Sequence, residues 1–137
     1  MPIDYPLKKN SLKKYLIETD ILVEHLTKSK TKKNSFLIDI MQKGICFTSV
    51  LNASEMYFAA NSDFEKEKLD NLFYALNVLG IHSRYSLLVP KVSEHFENIR
   101  DTLFYILAEQ NKLTIVTQFP DKYSDLSCET THPSLII

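Results

Sequence analysis

Short apolar runs that alternate with amphipathic segments constrain the fold of this chain most strongly. Three runs rich in branched or aromatic residues occupy residues 15–17, 45–48 and 113–116. Between these runs, apolar residues recur at intervals of three and four, which is the spacing of one face of a helix. Short strands that alternate with helices favour a mostly parallel sheet covered by helices. The sequence therefore predicts an α/β fold with a mostly parallel central sheet.

Length and composition favour one domain. The chain has 137 residues, of which 45% are apolar, and its net charge is −1. A chain of this length is most simply one domain, and it can bury a core without disulfides or metal. We expect a polar leader over residues 1–12, the domain over 13–126, and a tail or edge strand over 127–137. Because the net charge is near zero, any nucleic-acid binding must come from local patches.

The cysteines and the apolar patterning indicate a cytoplasmic protein. Cys46 and Cys128 are the only two cysteines and form no Cys-x-x-Cys pair, as is usual for free thiols in a reducing compartment. The four histidines lack the spacing of a zinc site. No apolar run has the length of a signal peptide or of a membrane span. We therefore expect a cytoplasmic protein without a membrane segment.

Local signals predict where the helices begin and end. Thr19 or Asp20 is expected to cap the first helix, and Gly44 is expected to end the second. Pro90 is expected to kink or split an element of mixed helical character over residues 83–97. The last residues, 135–137, have the apolar character of an edge strand. Helices are expected over 21–26, 34–42, a segment that begins after Ser49, 64–79 and 102–111.

Three carboxylates, those of Glu18, Glu55 and Asp101, lie where apolar elements begin or turn. Burial of an anion without a partner is costly. In open α/β sheets, ligands bind beyond the carboxyl ends of the strands; Glu18 and Thr117 follow predicted strands and Ser49 opens the helix after another, so these positions are expected to meet. Mg²⁺ prefers a few carboxylate oxygens together with water. The three acids therefore predict a divalent-cation site suited to phosphodiester cleavage.

Each acid also has an ordinary interpretation when it is taken alone. Asp is a favoured helix cap, so Asp101 alone is more often a cap than a ligand. Glu55 alone is more often an exposed helix residue. The basic run over residues 28–33 is most often a solvated loop, although phosphate contact is possible there. The combination of the three acids, rather than any one of them, favours a site.

Four segments together resemble the motifs of PIN domains, which are best known from VapC-type toxins. The first PIN motif is an apolar strand followed by Asp-Thr, a small polar residue and the apolar start of a helix. In the second motif a Ser caps a helix and a Glu follows six residues later. The order and spacing match over roughly residues 13–126. The matching segments are Tyr15-Leu16-Ile17-Glu18-Thr19-Asp20-Ile21-Leu22-Val23, Thr48-Ser49-Val50 with Glu55-Met56, Ile99-Arg100-Asp101-Thr102-Leu103, and Leu113-Thr114-Ile115-Val116-Thr117.

The resemblance implies a three-layer α/β/α domain that acts as an endoribonuclease with Mg²⁺ or Mn²⁺. Glu18, Glu55 and Asp101 would hold the metal ion, and the ion would activate a water molecule. PIN toxins commonly form homodimers and are inhibited by an antitoxin, so RNA, a second copy and an antitoxin are the implied partners. The residues expected to orient the carboxylates or the water are Thr19, Ser49 and Thr117.

Two residues depart from the PIN pattern and support an alternative function. Glu18 stands where the family usually has Asp, and Asp20 is the nearby acid that would compensate. Phe119 stands where the family often has Asn or Asp, and it cannot bind a metal. The alternative is therefore a PIN-like module that binds nucleic acid or a protein partner without cleavage.

Two further interpretations concern the class of function and the contact with RNA. A receiver-like signalling domain needs an acid at the end of a middle strand, but residues 45–48 are followed by Ser49, which argues against that class. The cationic side chains predicted to contact RNA phosphates are those of Arg100, Lys30 and Lys32.

Overall fold

In the part of the chain that the structure describes, five strands form one parallel sheet. The computed structural model describes residues 12–28, 33–123 and 126–136, so the predicted leader, except for Leu12, lies outside the described residues. The strands are β1 Lys13–Ile17, β2 Gly44–Ser49, β3 Asn77–Leu79, β4 Thr114–Val116 and β5 Thr130–Thr131. Their order is β3-β2-β1-β4-β5, and every neighbouring pair is parallel. The predicted α/β class with a parallel sheet is confirmed.

Helices and short 3₁₀ turns connect the strands. None of the described helices is long and apolar enough to cross a bilayer. The helices are α1 Thr19–Thr27, α2 Phe36–Met41, α3 Val50–Ala59, α4 Asp63–Ala75, α5 Val89–Val92 and α6 Ile99–Gln110. The 3₁₀ turns are Ser83–Leu87, Ser93–His95, Pro120–Tyr123 and Pro133–Leu135.

The sheet separates two apolar cores, which makes the domain a three-layer α/β/α structure. Successive strand residues point to opposite faces, so Tyr15 and Ile17 of β1 join one core while Leu16 joins the other. The first core is completed by buried side chains of α1, α2, α3 and α4. The second is completed mainly by α6, where Phe104 and Leu107 are almost completely buried.

Two elements differ from the sequence prediction, because in each case a strand lies where the end of a helix was expected. The predicted helix over 64–79 ends at Ala75, and Asn77–Leu79 form β3. Gly44 does not end a helix but begins β2. A Cβ atom at Gly44 would lie 2.5 Å from the carbonyl oxygen of Lys13, so the absence of a side chain allows β1 and β2 to approach each other.

The predicted edge strand at residues 135–137 is wrong for the residues that the structure describes. Pro133 begins a 3₁₀ turn that runs to Leu135, and Ile137 lies outside the described residues. The edge of the sheet is formed instead by the two-residue strand β5. Proline has no N–H group and cannot donate to a ladder, which favours the end of the strand before this residue.

The caps of α1 and α6 differ from the prediction in a way that shapes the site. The side chain of Glu18, rather than that of Thr19 or Asp20, caps α1 by accepting the Thr19 N–H at 2.9 Å. At α6 the cap is Asn98, whose side chain accepts the Asp101 N–H at 2.8 Å. Asp101 therefore lies in the first turn of α6, and its carboxylate can face the edge of the sheet.

Candidate active site

An acidic pocket of about 530 Å³ opens at the carboxyl ends of β1 and β4. Glu18 directly follows β1 and Thr117 directly follows β4, so the strand ends bring both residues to the pocket. Four carboxylates and two cationic side chains line it, which gives the pocket a formal charge of −2. The lining residues are Glu18, Thr19, Asp20, Glu55, Asn98, Arg100, Asp101, Thr117, Phe119 and Lys122.

The guanidinium group of Arg100 lies between the three carboxylates that the sequence singled out. Its Nη1 atom donates to Glu18 Oε2 at 2.7 Å and to Asp101 Oδ1 at 3.2 Å. Its Nη2 atom donates to Glu55 Oε1 at 2.8 Å, and its Nε atom donates to Glu55 Oε2 at 3.1 Å. One planar group therefore contacts all three acids, so their carboxylates face the same part of the pocket.

Packing and charge both hold Arg100 in this position. Its guanidinium carbon lies 5.1 Å from the centre of the Phe104 ring, one helical turn along α6. Its side chain is 21% exposed. Burial alone would lower the pKa of Arg100, but hydrogen bonds and charge from Glu18 and Glu55 raise it above the ordinary value. Arg100 is therefore a fixed cation inside the pocket.

Glu18 accepts hydrogen bonds from five donors and is almost completely buried. Its Oε1 atom accepts from the Thr19 N–H at 2.9 Å, from Asn52 Nδ2 at 3.0 Å and from Arg100 Nη2. Its Oε2 atom accepts from Arg100 Nη1 and from the Tyr123 hydroxyl, the latter at 2.8 Å. Both oxygens are thus fully occupied by protein donors. We call Glu18, Asn52 and Tyr123 the pocket floor.

These donors keep Glu18 ionised despite its burial. Burial is the largest influence and would raise the pKa of Glu18 above its usual 4.5. The combined hydrogen bonds and charge of Arg100, with the donors of Thr19 and Tyr123, lower the pKa below that value. Burial and the neighbouring Glu18 anion also raise the pKa of the Tyr123 hydroxyl, which stays protonated and continues to donate.

Asn52 belongs to the site although the sequence prediction did not include it. It is completely buried, and its Oδ1 atom accepts the Ser49 N–H at 3.0 Å as part of a capping box at the start of α3. Its Nδ2 atom donates to Glu18 and also to the Thr19 hydroxyl at 2.9 Å. Ser49, predicted to orient a carboxylate, therefore acts through Asn52. The spacing Ser49-x-x-Asn52 was a signal for the cap but not for Asn52's contact with Glu18.

Asp20 and Thr117 contact each other rather than the three central acids. The Thr117 hydroxyl donates to Asp20 Oδ1 at 2.7 Å, and the Gln118 N–H donates to Asp20 Oδ2 at 2.7 Å. Asp20 therefore fixes the segment after β4, and both of its oxygens have protein donors. Thr19 does reach an acid, because its hydroxyl donates to Glu55 Oε1 at 3.0 Å.

More exposed side chains form the pocket rim, which we define as Glu55, Phe119 and Lys122. Their exposed fractions are 43%, 66% and 44%. Lys122 Nζ lies 3.1 Å from Asp101 Oδ1, an ion pair that sequence analysis missed because the turn at Pro120–Tyr123 has no periodic pattern. Lys30 and Lys32, predicted to contact RNA, lie outside the described residues.

The types of oxygen donor in the pocket fit a hard divalent cation. Carboxylates of Glu18, Glu55 and Asp101 are the ligands that Mg²⁺ and Mn²⁺ accept. Among the residues that the structure describes, however, no group of three or more His, Cys, Asp or Glu side chains is placed to hold an ion directly. In the structure the guanidinium group of Arg100 lies between these acids and contacts each of them.

Comparison with solved structures shows which proteins share this fold. The chain is similar to a chain of VapBC2 from Rickettsia felis bound to a promoter DNA fragment, with a TM-score of 0.71, 15% identity, and coverage of 87% of this chain and 98% of that one. DNA-bound VapBC from Salmonella typhimurium is similar with a TM-score of 0.72 and 12% identity, and the match covers 89% of this chain and 99% of that one. FitAcB from Neisseria gonorrhoeae is similar with a TM-score of 0.67 and 14% identity, and the match covers 88% of this chain and 98% of that one.

Sequence comparison adds nothing to this structural likeness. No protein-family profile matches the chain, and no curated protein matches it. The structural matches define the class of fold, which is a three-layer α/β/α domain with a parallel sheet. More particularly, the chain has the PIN-like fold of VapC-type toxins, as its four motifs indicated.

Proposed function

We propose that this protein is a PIN-type endoribonuclease that uses Mg²⁺ or Mn²⁺ and serves as the toxin of a toxin–antitoxin pair. One observation carries the proposal. Glu18, Glu55 and Asp101 come from the end of β1, from α3 and from α6, and their carboxylates all contact the guanidinium group of Arg100 in an open pocket. Glu18 and Asp101 are buried anions that need Arg100 as a partner, and a cluster of buried charges in a pocket favours a functional reason for it.

In this proposal, different residues of the pocket bind the metal ion, orient the carboxylates and bind RNA. Glu18, Glu55 and Asp101 would hold the metal ion, which when bound lowers the pKa of a water molecule and offsets charge on the phosphate. Asn52 and Thr19 donate to these carboxylates and fix their orientation. Lys122 and Phe119 lie at the pocket mouth, where a phosphate and a base of an entering RNA strand would be bound.

The partners in this proposal are RNA, an antitoxin and a second copy of the chain. The solved structures with this fold include toxin–antitoxin complexes, which supports an antitoxin partner. The homodimer rests on the resemblance to PIN toxins. Light scattering on the purified protein tests it, because a dimer has twice the 15.9 kDa mass of the chain. A single species at the mass of one chain across micromolar concentrations would contradict the homodimer.

The position of Arg100 favours a second candidate function, a PIN-like module that binds RNA or a protein partner without cleavage. Arg100 and Lys122 already neutralise part of the charge of the acids. The three central acids then have cationic partners without a metal ion. Under this candidate the protein binds RNA equally well in EDTA and in Mn²⁺ and never cuts it.

A cleavage assay separates the two candidates. Labelled single-stranded and structured RNAs are incubated with the purified protein in Mn²⁺, in Mg²⁺ or in EDTA. Asp101→Asn is the test variant, and Glu67→Gln, at an exposed position of α4, is the matched control. We expect cleavage in metal by the natural protein and by the control. We expect a loss of more than about 100-fold for Asp101→Asn, since even outer partners of a metal affect activity by 10–100-fold.

The contrary results are equally clear. Cleavage that persists in EDTA or in Asp101→Asn would reflect a contaminating nuclease. RNA binding without cleavage in either metal would refute the nuclease proposal and support the binding module.

A further inference from the structure

Arg100 takes the place in which a metal ion is expected, and this has a consequence for binding. We propose that Arg100 is the resident cation of the acidic pocket, and that Arg100 and a divalent metal ion are mutually exclusive occupants. A metal ion then binds only when the guanidinium leaves the carboxylates of Glu18, Glu55 and Asp101. This inference deepens the proposed function and rests on its metal site, but its test does not depend on RNA cleavage.

The hydrogen bonds of Glu18 identify Arg100 as the donor that must leave. Both oxygens of Glu18 are fully engaged, so an ion cannot bind there without displacing a donor. The Thr19 N–H belongs to the backbone of α1, and Asn52 and Tyr123 are completely buried. Arg100 is partly exposed at the open side of the pocket, so it is the donor that can move into solvent.

The other two acids give the same result. Both oxygens of Glu55 accept from Arg100, through Nη2 and Nε. Asp101 Oδ1 accepts from Arg100 Nη1 and pairs with Lys122, while Asp101 Oδ2 accepts from Asn98 Nδ2 at 3.2 Å. Withdrawal of Arg100 therefore removes one donor from each of the three carboxylates, although Asp101 Oδ1 keeps its ion pair with Lys122.

Charge explains why one of the two cations must be present. Without Arg100, the three carboxylates that it contacts would face one another across the pocket and repel each other. A guanidinium supplies one positive charge and five N–H donors in a planar fork, whereas a divalent ion supplies two charges at one point. Either cation stabilises the pocket, but the two need the same oxygens. Removal of Arg100 should therefore increase the demand of the pocket for a metal ion.

The experiment measures Mn²⁺ binding by calorimetry and by the shift of the melting temperature, with no RNA present. Arg100→Gln removes the guanidinium charge. Arg84→Gln is the matched control, because Arg84 is the only other arginine and lies on an exposed 3₁₀ turn outside the pocket. We expect Arg100→Gln to bind Mn²⁺ at least about tenfold more tightly than the natural protein, in the range of coupling between competing ligands. The control should match the natural protein.

A second variant keeps the inference testable if Arg100→Gln does not fold without metal. Arg100→Lys keeps one positive charge but loses the planar fork of the guanidinium group. We expect this variant to bind Mn²⁺ more tightly than the natural protein and, where Arg100→Gln can be measured, less tightly than Arg100→Gln. Equal or weaker Mn²⁺ binding in the folded Arg100 variants would overturn the proposal.

The result is distinguishable from failure of the proposed function. Tighter Mn²⁺ binding by Arg100→Gln in a protein that never cuts RNA would support the exclusion and refute the nuclease. Metal-dependent cleavage by the natural protein, with Mn²⁺ affinity unchanged in Arg100→Gln, would support the nuclease and refute the exclusion.

Discussion

The pocket floor and the pocket rim contain the same kinds of polar group in very different surroundings. In the floor, Glu18 is buried, and Asn52 and Tyr123 hold it from below. In the rim, Glu55 and Lys122 are more than 40% exposed, although each makes an ion pair. Buried charges that lose a partner are costly, whereas exposed ion pairs contribute little to stability. The pocket floor should therefore determine the stability of the site, and the pocket rim should determine which ligands the site binds.

The largest expected effect comes from the central acid of the floor. Glu18→Gln places an amide donor against Arg100 and removes the charge that pairs with it. We expect a loss of about 3 kcal/mol in the free energy of unfolding, the scale for removal of one partner of a buried pair. The rim counterpart Glu55→Gln should cost less than about 1 kcal/mol. Urea unfolding in EDTA measures both, and equal losses would remove the distinction between floor and rim.

The second effect concerns Asn52, which links the cap of α3 to Glu18. Asn52→Ala removes the partner of Ser49 in the capping box and a buried donor to Glu18. We expect a loss of about 2 kcal/mol, because a buried acceptor loses a partner and a cap is weakened. Asn71→Ala, at an exposed position of α4, serves as the control and should change stability by less than about 0.5 kcal/mol. A loss no larger than that of the control would show that Asn52 does not support Glu18.

A smaller effect is expected from the hydroxyl of Tyr123. Tyr123→Phe keeps the buried ring and removes only the hydrogen bond to Glu18 Oε2. We expect a loss of about 1 kcal/mol, the typical contribution of one such bond. Tyr74→Phe is the matched control, since Tyr74 is 94% exposed and should show no change. If both variants melt at the temperature of the natural protein, the hydroxyl of Tyr123 does not stabilise Glu18.

At Asp101, repulsion among the acids and pairing with cations predict opposite effects of a substitution. Three clustered acids predict that Asp101→Asn stabilises the metal-free protein by relieving repulsion. The structure instead pairs Asp101 with Arg100 and Lys122. We therefore expect Asp101→Asn to lose somewhat less than about 1 kcal/mol in EDTA, because one pairing partner is exposed. A higher melting temperature for this variant in EDTA would indicate that repulsion dominates.

The smallest effect near neutral pH concerns the titration of Glu18. The pKa of Glu18 is lower in the folded protein than its usual 4.5, so folding favours the ionised form. The contribution of ionised Glu18 to the free energy of unfolding is complete above pH 4.5 and is lost as the pH falls through the pKa of Glu18 in the folded protein. The stability difference between the natural protein and Glu18→Gln should be constant from about pH 7 to 5 and should shrink below 4.5. A difference that grows on acidification would contradict this sign.

The sequence predicted the meeting of the acids better than it predicted what holds them. The positions of Glu18 and Asp101 follow from strand ends and a helix start, which apolar periodicity makes visible. Tyr123 and Lys122 lie in a 3₁₀ turn whose conformation no periodic pattern signals. The strand β3 was missed because its three residues continue the apolar spacing of α4. Contacts made by irregular segments need the three-dimensional structure.

The place of Arg100 also exceeded what sequence could predict. Its neighbour Asp101 suggested a phosphate contact, because arginine often binds phosphate with two nitrogens. The structure places it among the three acids instead, and its contact with RNA stays a prediction. Side-chain direction in the first turn of a helix depends on the cap, and the cap here is Asn98 rather than Asp101.

A double-mutant cycle between Glu18 and Arg100 tests most directly that these acids share one guanidinium. The free energy of unfolding is measured in EDTA for the natural protein, Glu18→Gln, Arg100→Gln and the double variant. Residues in one ion-pair network couple by about 0.5–3 kcal/mol, and we expect a value of about 2 kcal/mol or more. A coupling energy near zero would place Arg100 away from Glu18 and would contradict the account of the pocket.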